Sequence, residues 1–226
     1  MALARWKDLC VDVADPAAVA AFWAPLLGLQ SRPHTRPGVT RLAGEPPTRT
    51  VWLNEVPEPR TVKNRVHLDL RVELDVVLAA GATVLRSPDE EISWHLCADP
   101  QGNELCVFAP AADQRSGLFE LVVDAADPEA QAAWWAGVLG ATAPGGGGRP
   151  WCWVEDLPGM PFDYLVFNPV PEPKTVKNRW HWDVDCDNVE KLVGRGATVL
   201  RHPDDDIGWH VLADPEGNEF CAFGSD

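Results

Sequence analysis

The feature that most constrains this chain is an internal repeat. Three blocks of sequence occur twice in the same order, the longest being "GATVLRSPDEEISWHLCADPQGNELCVF" (81–108) and "GATVLRHPDDDIGWHVLADPEGNEFCAF" (196–223). The other two pairs are "VDVADPAAVAAFWAPLLG" (11–28) with "VDAADPEAQAAWWAGVLG" (123–140), and "VPEPRTVKNR" (56–65) with "VPEPKTVKNR" (170–179). A period above about 100 residues is typical of duplicated domains and not of a solenoid. The sequence therefore predicts two halves, 1–112 and 113–226.

Local patterns predict the same elements in both halves. An alternating strand is followed by Asp15 and Pro16, a helix N-cap with proline at the first helical position, and Gly28 suits the end of that helix. Further strands follow, one of them the alternating stretch "RVHLDLRV", and a short helix ends near Gly81. "DPQG" has the residues of a type I turn between the last strands. Each half is therefore predicted to be βαβββ–βαβββ, which gives four units in the chain.

Composition excludes several classes of partner. The formal net charge of −15 disfavours nucleic acids and anionic membranes. No apolar run approaches the roughly 18–20 residues of a membrane span, and the N-terminal segment lacks the apolar region of a signal peptide. The six cysteines are widely spaced, without a CxxC pair. We therefore expect reduced thiols in a cytoplasmic protein.

The order of elements, the motif "DxADPxxxxxFWxxLLG", the His on the first strand of the second unit and "DPxGNE" in the last hairpin resemble the vicinal oxygen chelate superfamily. This is the fold of glyoxalases, extradiol dioxygenases and bleomycin-resistance proteins, and the glyoxalase-like domain branch is the best match. The resemblance covers nearly the whole chain. It implies an α+β fold of two tandem vicinal-oxygen-chelate domains, each a pair of βαβββ units forming an open cup-shaped sheet. Helices would cover the outside, and the concave face would hold the site.

Strand alternation assigns side chains to the two faces of each sheet. In "RVHLDL" the apolar residues must pack on a helix, so the alternate polar residues are predicted to line the cup. The same reasoning places Trp180 and Trp182 against a helix. The tryptophans that helix packing does not account for either form an aromatic wall that suits a planar ligand or belong to the ordinary core. The candidate ligand-binding residues are Asp8, Trp52, Arg65, His67, Asp69, Cys106, Glu120, Arg179, His181, Asp183 and Cys221.

The resemblance also implies where a metal would be held. Metal-binding members carry ligands at three places, which here hold Asp8, His67 and Cys106 in one half and Glu120, His181 and Cys221 in the other. Only the His matches the pattern, because Glu104 and Glu219 come two residues too early. We therefore expect no bound metal. The alternative is a divalent Zn, Fe, Mn or Ni held by these two sets, with Glu104 and Glu219 on the same strand face.

The basic residues of "TVKNR" have two interpretations. Arg65 and Arg179 are predicted to project into the cups, where a guanidinium suits an anionic or carbonyl-bearing ligand. The alternative is that Arg65 fixes the connection by pairing with Asp69 or Asp8. The prolines in the same segment stiffen it and exclude a central strand.

Together these patterns favour a small-molecule-binding protein of the glyoxalase/bleomycin-resistance type, holding a planar or carbonyl-rich metabolite or antibiotic. The alternative is a metal-dependent enzyme, a glyoxalase-like lyase or a dioxygenase. In a third hypothesis one half is a scaffold and the other carries the chemistry. Whether the chain is a monomer of two tandem domains or a homodimer stays open.

Overall fold

A computed structural model describes residues 2–224 of the chain as four units. The first contains β1 (Ala4–Val13), α1 (Pro16–Leu27), β2 (Gln30–Pro33), β3 (Val39–Ala43), a 3-10 helix (Pro47–Arg49) and β4 (Val51–Glu55). The second contains β5 (Val66–Arg71), α2 (Leu74–Ala79), β6 (Thr83–Arg86), β7 (His95–Ala98) and β8 (Glu104–Phe108). The third contains β9 (Gly117–Ala125), α3 (Pro128–Leu139), β10 (Cys152–Val154) and β11 (Tyr164–Pro169). The fourth contains β12 (Trp180–Cys186), α4 (Val189–Val193), β13 (Thr198–Arg201), β14 (His210–Ala213) and β15 (Glu219–Gly224).

The first helix begins and ends where the sequence predicts. The Asp15 carboxylate accepts hydrogen bonds from the backbone N–H groups of Ala17 and Ala18, at 2.9 and 3.0 Å. Gly28 ends the helix with a φ of 63°, in the left-handed region that favours glycine. In α3, Asp127 and Gly140 have the same roles.

Each sheet is a pair of units, as predicted, but the two units come from different halves of the sequence. The eight-stranded sheet has the order β13-β14-β15-β12-β1-β4-β3-β2 and combines the first and fourth units. The seven-stranded sheet has the order β10-β11-β9-β5-β8-β7-β6 and combines the second and third. The joins are antiparallel, β1 with β12 and β9 with β5. The sheets therefore do not follow the boundary between the two sequence repeats.

The third unit has two strands after its helix where three are predicted. An isolated bridge between Thr142 and Glu155 stands where the first unit has the β2–β3 hairpin. The glycine-rich stretch 143–150 lies between these bridge partners and is irregular. Consecutive glycines disfavour strand formation because they lose the most backbone entropy on ordering, which accounts for the missing strand.

The predicted strand register of β12 is confirmed. Trp180 and Trp182 are 0% and 1% exposed and face the helices. The ring of Trp180 lies edge-on to Trp23 of α1, with centroids 5.4 Å apart, and that of Trp182 to Trp135 of α3, at 4.9 Å. His181, between them in sequence, therefore points to the opposite, concave face.

Two further expectations concern membrane-spanning helices and disulfide bonds. Among residues 2–224, no helix is both long enough and apolar enough to cross a membrane. All six cysteines are free and buried.

Candidate functional site

The floor of each cup lies at the join between the first strands of its two units. In the eight-stranded sheet, Asp8 stands opposite Asp183 and Cys10 opposite His181. In the seven-stranded sheet, Glu120 stands opposite Asp69, and His67 lies opposite Val122. We call these two clusters, with Cys221 and Cys106 from the adjacent last strands, the first and second floor. Each contains two carboxyl groups, an imidazole and at least one thiol.

This arrangement corrects the predicted ligand sets. Asp8 lies on the first floor, whereas His67 and Cys106 lie on the second. Glu120 lies on the second floor, apart from His181 and Cys221 on the first. The prediction grouped residues of one sequence half, but each first strand pairs with a first strand from the other half.

On the first floor, the two carboxylates have different partners. The Cys10 thiol donates to Asp183 Oδ2 at 3.4 Å, and Trp52 Nε1 donates to Asp8 Oδ2 at 3.2 Å. Cys10 was absent from the candidate residues although strand alternation turns it inward. The repeat gives no signal for it, because the equivalent position in the second half is Val122.

On the second floor, His67 is the central residue. Its Nε2 lies 3.6 Å from Cys106 Sγ and 3.3 Å from Asp69 Oδ1. The carboxylate beside His67 is therefore that of Asp69, its neighbour on the same strand, whereas Asp8 belongs to the other sheet.

Burial changes the ionisation of both floors. Loss of solvent, reinforced by the nearby Asp8 charge, raises the pKa of Asp183 to about 7. Burial and the Asp69 charge raise the pKa of Glu120 in the same way. Burial lowers the pKa of His181, which favours neutral imidazole. At neutral pH each floor therefore holds a carboxyl group with substantial protonated population.

The thiols are also affected. Burial raises the pKa of the Cys10, Cys106 and Cys221 thiols, and the neighbouring Asp183 or Asp69 charge raises it further. A thiol of this kind stays protonated at neutral pH and is neither a ready nucleophile nor a ready metal ligand.

The two floors share a pattern of unpartnered atoms. Nδ1 of His67 and of His181 is buried and has no hydrogen-bond partner among the described residues. The same holds for Oδ1 of Asp69 and of Asp183, and the approach of Asp69 Oδ1 to His67 lacks hydrogen-bond geometry. Most buried polar atoms in proteins are paired, because leaving one unpaired costs roughly 1–3 kcal/mol. The repetition of the same two atoms in both cups indicates two equivalent polar sites.

An aromatic pair lies beside each floor. Trp94 stacks on Phe108, and Trp209 stacks on Phe223, each with centroids 5.2 Å apart. Trp94 also contacts the Cys106 thiol, and Trp209 contacts that of Cys221. Trp94 and Trp209 therefore lie beside the floors, where an aromatic wall stays a prediction, whereas Trp6 is 4% exposed and belongs to the core.

The two glutamates considered as metal ligands hold the connecting segments instead. We call residues 56–65 the first crossover and residues 170–179 the second. Glu104 accepts hydrogen bonds from the Arg60 side chain and from the backbone N–H of Asn64. Glu219 accepts equivalent bonds from Lys174, at 2.6 Å, and from the backbone N–H of Asn178, at 3.1 Å.

Polar residues that both copies of the repeat share form a hydrogen-bond network in each half. Asn64 Nδ2 donates to Asn103 Oδ1 at 2.9 Å, and Asn103 donates in turn to the Asp99 carboxylate. Asp99 Oδ2 also accepts from Trp23 Nε1 at 3.1 Å. A crossover, a "DPxGNE" turn and a helix are tied together in this way, and the second half repeats the network through Asn178. This accounts for the recurrence of the three blocks as a set.

Arg65 and Arg179 also hold the crossovers, with partners that the sequence did not indicate. Arg65 donates to the backbone oxygens of Glu172 and Asp124, both at 2.8 Å, and Arg179 donates to the backbone oxygen of Glu58. Each arginine therefore links its own crossover to the other half of the chain. The predicted pairing of Arg65 with Asp69 or Asp8 is wrong, because the guanidinium turns from the floors toward the opposite crossover.

A model of the glyoxalase-like domain matches residues 8–108 and 120–223. The chain belongs to the glyoxalase-like domain family. The glyoxalase-like domain thus occurs twice, and the tandem arrangement of the vicinal oxygen chelate superfamily is confirmed.

Solved structures share the fold of these glyoxalase-like domains at low identity. Glyoxalase I from Zea mays is 16% identical, with a TM-score of 0.67 over 97% of this chain and 92% of that chain. A putative dioxygenase from Bacillus subtilis is 11% identical, with a TM-score of 0.64 over 99% and 86%. No curated protein matches the sequence. Similarity at this level of identity shows the fold, so the activity has to be inferred from the residues of the two floors.

The donor atoms of the floors fit a divalent metal poorly. Cys10, His181 and Asp183 offer ligand atoms within 4.8 Å of one another, and so do His67, Asp69 and Cys106. Both groups depend on a thiolate, however, and burial opposes deprotonation of these thiols. Glu104 and Glu219, which would add hard oxygen ligands, are bonded to the crossovers.

Proposed function

We propose that the protein binds a small carbonyl-rich, planar molecule in its cups, with no resident metal. The observation that carries this proposal is the recurrence of the same unpartnered buried atoms, Nδ1 of His and Oδ1 of Asp, on both floors. A ligand that hydrogen-bonds to the imidazole Nδ1 and to the carboxyl group removes both desolvation costs.

The ionisation of the first floor supports a carbonyl-bearing ligand. A carboxyl group with a pKa of about 7, such as Asp183, is partly protonated at neutral pH and can donate its O–H to a carbonyl oxygen.

The aromatic pairs support a planar shape. Trp94 with Phe108 and Trp209 with Phe223 present stacked rings next to the thiols of the floors. Planar molecules gain contact area and favourable stacking on such surfaces.

The test is a screen of aromatic and dicarbonyl compounds by tryptophan fluorescence, followed by calorimetric titration of the best hit. His181→Ala and His67→Ala each remove one unpartnered imidazole nitrogen, and each is expected to weaken one binding site about tenfold. His202→Ala, an exposed histidine, is the matched control and should change nothing. Equal affinity in wild type and both floor variants, with melting temperatures that show intact folding, would contradict the proposal.

The second candidate is a metal-dependent lyase or dioxygenase, favoured by the two groups of three donor atoms within 4.8 Å. Metal analysis of the dialysed protein separates the two candidates. One equivalent of Zn, Fe, Mn or Ni per cup, lost in the His67→Ala/His181→Ala double variant, would establish the metal-dependent candidate. The cytoplasmic location and the choice between monomer and homodimer stay predictions.

A further inference from the structure

A cavity of about 740 Å³ lies between the two crossovers, at one end of the strands that carry the two floors. Most of its lining comes in equivalent pairs, one member from each half, because both crossovers and the ends of β1 and β9 contribute to it; Val56 and Arg60 line it without their counterparts. The histidines and cysteines of the floors are not among its lining residues. Its volume lies within the roughly 300–1,000 Å³ of typical small-molecule sites.

Two of the basic residues in this crossover cavity are neutralised. Lys63 Nζ lies 2.7 Å from the buried carboxylate of Asp124, and Lys177 pairs with Asp12 in the same way. The lysine side chains remain 59% and 60% exposed, so their other N–H groups are available to a ligand.

Of the three arginines that line the cavity, Arg60 is paired with Glu104, whereas Arg65 and Arg179 keep an uncompensated positive charge. Arg65 and Arg179 donate only to backbone oxygens, and within residues 2–224 neither forms an ion pair with a carboxylate. Nε of Arg65 is in addition buried, with no hydrogen-bond partner in the part of the chain that the structure describes. The backbone bonds hold both guanidinium groups in place, so little side-chain entropy remains to be lost when an anion binds.

The walls between the charges are apolar. Val62 and Val176 line the cavity and are 44% and 42% exposed, and Pro59 and Pro173 stand beside them. A ligand that fits this surface has an apolar body and an anionic group at each end. The near-twofold repetition of the lining favours a ligand with two equivalent ends.

We propose that the crossover cavity binds one small dicarboxylate per chain, with one carboxylate on Arg65 and the other on Arg179. Each guanidinium nitrogen that donates to a backbone oxygen keeps a second N–H, and a charge-assisted hydrogen bond from it to a carboxylate gives both affinity and orientation. The carboxylates of Glu58 and Glu172 line the same cavity and oppose the ligand, so they limit its affinity. This site is independent of the proposed function of the cups.

The test is calorimetric titration with succinate and terephthalate, using butyrate and succinamide as the monocarboxylate and neutral controls. The expected result is one dicarboxylate per chain, bound at least tenfold more tightly than butyrate, with no binding of succinamide. Arg65→Ala and Arg179→Ala are each expected to weaken binding at least tenfold. Arg86→Ala, which removes an exposed arginine paired with Asp89 and Glu91, is the matched control and should have no effect.

A charge-removing variant covers the case in which the arginine variants fail to fold. Glu58→Gln/Glu172→Gln leaves the backbone oxygens that hold the arginines, and it should tighten dicarboxylate binding about three- to tenfold. Equal binding of succinate and butyrate, two ligands per chain, or unchanged affinity in this variant would overturn the proposal. Loss of dicarboxylate binding in His67→Ala/His181→Ala would also overturn it, because the ligand would then occupy the floors.

Discussion

Asp183 is expected to make the folded protein less stable as the pH rises from about 4 to 7. Its pKa of about 7 in the folded chain compares with 3.8 for an ordinary aspartate. Between these values the folded state binds a proton that the unfolded state releases, so the free energy of unfolding falls with increasing pH. Above pH 7 both states are deprotonated and this contribution no longer changes.

The magnitude follows from the same two values. One pKa unit corresponds to about 1.4 kcal/mol, so the Asp183 contribution over this range is at most about 4 kcal/mol. Asp183→Asn replaces the buried charge with a neutral amide whose oxygen still accepts from the Cys10 thiol. We expect the variant to be close to wild type in stability near pH 4, and to become more stable than wild type by roughly 2–4 kcal/mol at pH 8.

The assay is urea unfolding of both proteins under reducing conditions, at several pH values from 4 to 8. Asp204→Asn serves as a control with the opposite sign, because Arg201 lowers the pKa of that exposed carboxylate to about 2. A stability difference between Asp183→Asn and wild type that stays constant with pH would refute the reasoning. A variant that becomes progressively less stable than wild type as the pH rises would refute it as well.

Three other predictions concern the crossovers, the turns and the floors. Glu219→Ala leaves the buried N–H of Asn178 unpaired, and urea unfolding should show a loss of roughly 1–3 kcal/mol that Glu219→Gln largely restores. Asp99→Ala removes the acceptor of several buried hydrogen bonds, so we expect the free energy of unfolding to fall by roughly 3–5 kcal/mol. A decrease in melting temperature no larger than that of Glu219→Ala would contradict this. Dialysed protein should contain well under one equivalent of Zn, Fe, Mn or Ni per cup by elemental analysis, because the thiols resist deprotonation; stoichiometric metal that is lost in His67→Ala/His181→Ala would contradict this.

The sequence by itself determined the repeat, the elements apart from the missing strand of the third unit, and the sheet face to which their side chains point. Asp15 and Gly28 bound α1 as predicted, since capping depends on residues within a few positions of the helix end. Alternation in β12 separated Trp180 and Trp182 from His181, because neighbouring side chains of a strand must point to opposite faces. The family followed from the same local motifs.

Only the tertiary structure decided which units pair. The first strands β5 and β12 carry the same pattern, so nothing in their alternation states whether β1 joins one or the other. Because β1 pairs with β12, Asp8 lies on the same floor as His181, and His67 shares its floor with Glu120. The partners of Arg65 and Glu104 were likewise hidden, because long polar side chains reach backbone groups and crossovers that no spacing in the sequence identifies. Local periodicity fixes which face a side chain points to, whereas the partner across the sheet depends on how duplicated and nearly equivalent strands pack.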